Sequence, residues 1–277
     1  MRAAETDKGI YLYCFFEGPA SIPPQKGINE TNDTFVLSEG NTCALASEVP
    51  AFEYSEDRLN RRLRDLKWLI PKVMRHDELI RYAMKTRPVI PVKFGAIFTS
   101  CERVLDIMRR GSNEFHDFFD FIRDKEEWGV KVYVDERSCR KAMESSSDLI
   151  RELDRKISLA TPGNAYFIRK KRENLLLRET LCLHENLADE IYQRIAPQCV
   201  DARKNKLLGK EATNKKEKMI LNTAVLLGEV DADFFKKKLD GMAVFYEPQG
   251  ILIEISGPWP PYNFCPDFEA VREACAV

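Results

Sequence analysis

Three histidines, His76, His116 and His184, are all the imidazole this chain has for chemistry. The grouping nearest to a catalytic or metal site is His76-Asp77-Glu78. A helical histidine beside carboxylates is the kind of arrangement that holds a metal ion or acts as a general base. Adjacent residues on a helix point in different directions, however, so these three do not converge on one ion. A polar helix face or a helix–helix hydrogen bond is the simpler expectation. His184 falls on an apolar helical stripe and reads as a core histidine, and His116, among aspartates and phenylalanines, as a surface or capping residue. The chain has no G-x-S-x-G, no P-loop and no G-x-G-x-x-G. The expectation is a protein that is not an enzyme and uses no cofactor. A cryptic metal-dependent enzyme built on His76 and Glu78 is the alternative from another class.

Lys93 lies in the apolar run Val92-Lys93-Phe94-Gly95. A buried lysine must find a carboxylate or lose its charge. It reads either as facing a partner, or as a structural ion pair or solvent-facing residue, the second being preferred. The clusters Arg169-Lys170-Lys171-Arg172, Arg203–Lys206 and Lys236–Lys238 could meet phosphate or an acidic protein surface. No aromatic stacking platform is interleaved with them. The net charge of −1, from 43 basic and 44 acidic residues, also speaks against nucleic acid. None of the eight cysteines forms a C-x-x-C pair, so they read as packing residues. The polar amino-terminal stretch lacks the apolar core of a signal peptide, and no apolar run approaches membrane-spanning length. These features predict a soluble, intracellular protein.

The elements that would position these side chains follow from periodicity. Gly9–Glu17 is short, apolar and aromatic and predicts a buried strand. Gly18 to Thr34 reads as a loop, and Thr34–Ser38 and Thr42–Val49 as a hairpin. A long helix is expected from an N-cap at Ser55, kinked or restarted at Pro71, with Leu59, Leu63, Leu66, Leu69, Ile70, Val73, Ile80 and Met84 on its apolar side. Arg87–Phe98, with two prolines, suits only a sheet edge. Thr99 and Glu102 have capping-box spacing, and Glu114–Lys125 carries a phenylalanine-rich helical face. Trp128–Asp135 alternates as a strand should. ESSSD at 144–148 reads as poorly ordered, and Pro162-Gly163-Asn164 as a break before the longest helix, Ala165–Ile195. That helix shows a stripe of Leu177, Leu181, His184, Ala188, Ile191 and Ile195. The fold class expected is α+β in two domains, residues 1–127 mixed α+β and residues 128–277 with a ferredoxin-like order.

Gly257-Pro258-Trp259-Pro260-Pro261-Tyr262-Asn263-Phe264 is rigid, apolar and aromatic. Proline fixes the backbone, so Trp259, Tyr262 and Phe264 are presented at little entropic cost, either as a clamp between domains or as a patch for a partner. This segment resembles the carboxy-terminal signature of the gas vesicle proteins F and L. Four more stretches are similar to that family in the same order: Gly9–Tyr13, Arg87–Phe98, Glu127–Val132 and Thr161–Tyr166. The motifs do not separate the F branch from the L branch. The resemblance implies two α+β domains, the second a modified ferredoxin-like one with a long helix. It implies a cytoplasmic accessory protein, associated with gas vesicles, that binds the small hydrophobic shell protein and other accessory proteins, with no catalytic residues. A minor structural component of the vesicle is the alternative in the same system. Trp259, Pro260, Pro261, Tyr262, Phe264, Lys93 and Arg169 to Arg172 are the candidate partner-binding or interdomain residues.

Overall fold

A computed structural model of the chain describes residues 8–18, 22–54, 56–85, 87–268 and 270–271. The expected N-cap Ser55 lies outside them, as does Cys275. The described residues group into two compact units: one runs to Glu126 and resumes at Trp259, the other is Glu127–Pro258.

The first unit is built on strand β1 (Lys8–Glu17), β2 (Thr34–Glu39) and β3 (Thr42–Pro50). Then come α1 (Glu56–Arg62), α2 (Leu66–Met84), β4 (Val89–Pro91), β5 (Ile97–Phe98), α3 (Cys101–Arg110) and α4 (Ser112–Ile122). The sheet order is β2-β3-β1-β4, with β5 also on β1. Both faces of β1 are covered, which is why its sequence is a continuous apolar run rather than an alternation. The register shifts between Leu12 and Cys14. This irregularity places Tyr13 and Cys14 on the same side, so Ile10, Leu12 and Phe15 face one core and Tyr11, Tyr13, Cys14 and Phe16 the other. The first core is closed by α3 and α4 through Val104, Ile107, Phe115, Phe118 and Phe119, the second by α2 through Leu79, Ile80 and Ala83.

Several expectations need correction here. The helix breaks at Leu63–Asp65, not at Pro71, because the Asp65 carboxylate accepts from the Lys67 N–H at 3.0 Å and caps α2. Pro71 falls early in α2, where its missing N–H removes a single intrahelical bond. Leu63, Leu66, Ile70 and Val73 are exposed rather than core. The cap of α3 is Ser100, whose hydroxyl accepts from Arg103, one residue beyond Thr99. The two-proline segment does lie at the sheet edge, as β4 and β5. The segment after Pro258, expected with the second half, packs with the first unit: Phe268 sits edge-on to Phe115 (4.9 Å between ring centres) and to Phe118 (5.8 Å).

The second unit contains β6 (Lys125–Val134), α5 (Glu136–Ser146), α6 (Asp148–Leu159), α7 (Pro162–Ile195), β7 (Asp201–Lys204), α8 (Lys210–Thr213), β8 (Lys218–Gly228), α9 (Ala232–Tyr246) and β9 (Ile251–Trp259). Its sheet order β7-β8-β6-β9 is the strand order of a split βαβ arrangement. Trp128, Val130, Val132 and Val134 alternate into a core completed by Ile191 and Ile195 of α7 and Phe235 and Leu239 of α9. ESSSD is ordered, against expectation: Ser147 ends α5 and its hydroxyl caps α6 by accepting from Ile150. The expected break before the longest helix falls at Ala160 and Thr161, and Pro162-Gly163-Asn164 is the first turn of α7, since proline suits that position. Of the predicted α7 stripe, His184, Ala188, Ile191 and Ile195 are buried but Leu177 and Leu181 are exposed.

Candidate functional site

The site grows from two buried rings of the first unit. His76, on α2, is 2% exposed and lies against Tyr11 and Tyr13 of β1. Its Nε2 is 3.0 Å from the Val92 carbonyl oxygen, which can only accept, so Nε2 carries the proton. Nδ1 is then the acceptor for the Tyr11 hydroxyl at 3.1 Å. The same hydroxyl oxygen accepts the Gly95 N–H at 3.0 Å. Burial drives the His76 pKa down to about 4, against smaller raising effects of the Val92 carbonyl and Asp77. Burial likewise raises Tyr11 well above the usual tyrosine range and Tyr13 to about 12. Tyr13 in turn joins the Ser47 hydroxyl (2.7 Å) and the Ile28 N–H (2.7 Å). This chain of neutral, mutually satisfied groups is structural. Glu78 is not brought to His76; it pairs with Arg75 at 2.7 Å on the exposed side. Among the described residues no three His, Cys, Asp or Glu side chains are grouped for a metal ion.

What the buried network holds is the turn between β4 and β5. Val92 and Ala96 remain tied to β1, through Val92 N–H to Tyr13 O (2.9 Å) and Leu12 N–H to Ala96 O (3.0 Å). Between them the edge strand bulges away, with Gly95 at φ +89°, a conformation that favours glycine. Lys93 and Phe94 are thereby pushed out of the sheet. Lys93, expected within a strand, is an exposed turn residue that makes no ion pair with a described residue.

This turn forms one wall of a cleft of about 1000 Å³. The opposite wall is α2, through Val73, Met74, Arg81 and Tyr82, and Trp259 and Tyr262 complete it. The Arg81 guanidinium lies 4.1 Å over the Trp259 ring and pairs with Asp77 at 2.6 Å. Tyr262 is held by a tight turn in which its N–H donates to Pro260 O, and Phe264 and Cys265 donate to Pro261 O. Pro260, Pro261 and Phe264 are buried beneath it. The cleft is thus mainly apolar, with Lys85 and Lys93 on its lining.

Comparison with known proteins decides the family. The profile described as "Gas vesicle synthesis protein GvpL/GvpF" matches residues 9–266. The chain belongs to the GvpL/GvpF family. Gas vesicle protein L of a Streptomyces species is 28% identical over 232 residues, covering 83% of this chain and 82% of its own length. Gas vesicle protein L1 of Halobacterium salinarum is 24% identical over 271 residues, covering 94% and 91%. Among solved structures, the gas vesicle protein GvpF of an Anabaena species superposes with a TM-score of 0.69 at 18% identity, covering 94% of this chain and 98% of that one. GvpF of Microcystis aeruginosa gives 0.63 at 15% identity, covering 93% and 99%. Membership carries a role in gas vesicle formation. No described helix is long and apolar enough to cross a membrane.

Within this GvpL/GvpF chain the remaining candidates separate. Arg172 is structural: it bonds Asp154 of α6 at 2.6 and 3.1 Å and Glu144 of α5 at 3.3 Å, locking both helices to α7. Arg169, Lys170 and Lys171 are exposed on α7. Sequence reasoning missed Tyr11, Met74, Arg81, Tyr82 and Lys85. The signal present was a stripe at 66, 70, 73 and 74, which marks one side of α2 without saying whether that side is covered.

Proposed function

We propose that this chain is a cytoplasmic assembly factor that holds the small hydrophobic gas vesicle shell protein, together with other accessory proteins, through the cleft of its first unit. The observation that carries the reading is the cleft itself. Its apolar lining of Val73, Met74, Tyr82, Phe94, Trp259 and Tyr262 adjoins the exposed stripe of Leu66 and Ile70. Leu66 is 63% and Met74 67% exposed, on a helix whose other side is buried. Contiguous apolar surface of this kind marks an interaction site. Lys85 and Lys93 add an electrostatic preference for a segment with acidic flanks. An apolar, self-associating shell subunit needs such cover before it is built into a wall.

The test is capture of the purified shell protein by this chain and by a Val73→Asp, Met74→Asp double variant. Both positions are exposed, so the variant should fold, as circular dichroism would verify. Binding should weaken at least tenfold, and a Lys85→Glu, Lys93→Glu variant should bind less tightly at low salt. Undiminished capture by the folded Val73/Met74 variant would refute the cleft as the binding surface. Truncation before Gly257 is a poor substitute, because it also removes Phe268 from the first core.

A further inference from the structure

The second unit holds a separate cavity of about 510 Å³ between α7 and β8. Leu181 and Ala188 of α7, Met219 and Leu221 of β8, and Leu207 form its apolar walls. His184 stands among them, 5% exposed, and neither of its ring nitrogens has a hydrogen-bond partner among the described residues. A buried polar atom left unsatisfied costs about 1–3 kcal/mol, so native folds rarely keep one without a use. His76 provides the contrast within the same chain, since it too is buried and both of its nitrogens are bonded.

Lys218, the first residue of β8, lines the same cavity. It forms no ion pair at contact distance with a described residue, yet lies within electrostatic reach of both His184 and Glu136. The neighbouring charges are already matched: Lys204 pairs with Asp189 at 2.6 Å and Lys210 with Glu136 at 2.6 Å. Glu185 also borders the cavity, on its exposed side. Burial and the Lys218 charge together hold His184 below the ordinary histidine range, so at neutral pH it offers one N–H and one bare nitrogen. The donors that line the cavity therefore include one imidazole N–H and one ammonium, beside apolar walls. Two such donors match the two oxygens of a carboxylate, and charge assistance from the ammonium strengthens the pairing.

We propose that this cavity is a binding site for a carboxylate on an aliphatic stem, with Lys218 and His184 taking the head and the leucines and Met219 the stem. Two sources share that chemistry: a free aliphatic acid, and a glutamate beside apolar residues on a partner protein. The site is independent of the cleft in the first unit.

The experiment uses the full chain with labelled histidine, whose three ring signals are followed by NMR and assigned with a His184→Phe variant. Sodium octanoate and an acetylated Leu-Glu-Leu amide are titrated in separately, with 1-octanol and the Leu-Gln-Leu amide as uncharged controls. Saturable movement of the His184 signal is expected, with a Kd of roughly 0.1–1 mM for at least one carboxylate. The His76 signal should stay in place. The matching uncharged control, and the carboxylate with a Lys218→Gln variant, should bind at least tenfold more weakly, whereas Lys218→Arg should retain binding. Saturation by octanoate alone identifies a free acid as the ligand, and saturation by the peptide identifies a partner's side chain. No movement with either carboxylate up to about 10 mM would overturn the proposal. So would uncharged controls binding equally well, or a Lys218→Gln variant that binds as the parent does.

Discussion

Replacing His76 by glutamine tests whether a neutral imidazole holds the cleft wall. Glutamine keeps one donor for the Val92 carbonyl and one acceptor for the Tyr11 hydroxyl but cannot take a proton. In the folded protein the His76 pKa is about 4, against 6.5 for an exposed histidine. Between these values the unfolded chain binds the proton that the folded one refuses, so stability rises with pH across the window and falls as pH drops from about 6.5 towards 4. The full gap corresponds to roughly 3 kcal/mol, an upper figure because relaxation and water entry soften burial. Urea unfolding followed by tryptophan fluorescence at pH 7, 6, 5 and 4 gives the profile for each protein. His184, whose pKa is also lowered, contributes to both profiles and cancels in the difference. The parent should lose about 2–3 kcal/mol more than the His76→Gln variant between pH 7 and 4. Parallel profiles would refute the assignment of His76 as a buried neutral hinge between Tyr11 and Val92.

Other perturbations probe the frame around the sites. Gly257 has φ +147°, and a Cβ there would lie 2.8 Å from the Trp128 ring, so Gly257→Ala should cost about 1–3 kcal/mol by urea denaturation. Phe268→Ala should cost about 3–5 kcal/mol, because it removes a ring packed on Phe115 and Phe118; a change below about 1 kcal/mol would mean that the terminal segment is not part of the first core. Arg172→Ala, which breaks a half-buried network joining α5, α6 and α7, should lower stability by about 1–2 kcal/mol. Lys170→Ala, two residues away on an exposed face, should stay within about 0.5 kcal/mol of the parent by the same measurement.

How far the sequence could be read depended on how local the deciding contact was. The run at Gly9–Glu17 announced a strand covered on both faces, and Trp128–Asp135 a strand covered on one, because each pattern lies within a few consecutive residues. Five motifs in order carried the family. On α2 the same kind of reasoning misfired: periodicity groups Leu66, Ile70 and Val73 on one side, but only the packing of Leu79, Ile80 and Ala83 decides which side is inside. Ser147 was hidden by composition, since a serine run looks unstructured until one hydroxyl caps a helix. His76 lay furthest from view. Its partners are 65 and 16 residues away, and nothing in His76-Asp77-Glu78 points to Tyr11 or Val92. Phe268 joined the first unit for the same reason, through rings more than a hundred residues earlier.

The buried histidine and the exposed cleft are one device in two parts. Lys93 and Phe94 belong to a turn with only a few backbone bonds to β1, and a turn so lightly tied would sample many conformations by itself. The Gly95 N–H on Tyr11 and the Val92 carbonyl on His76 fasten it from below, and the Phe94 ring rests edge-on at 5.7 Å from the imidazole. Pro260 and Pro261, next to Trp259, stiffen the other side of the same opening. Surface side chains fixed in this way lose little freedom when a partner arrives, so more of the contact energy remains as affinity. On the proposed function, a cavity-filling apolar residue at 76 should weaken capture of the shell protein even where it preserved the fold. It would leave the Tyr11 hydroxyl and the Val92 carbonyl without their partner, releasing the turn that presents Lys93 and Phe94.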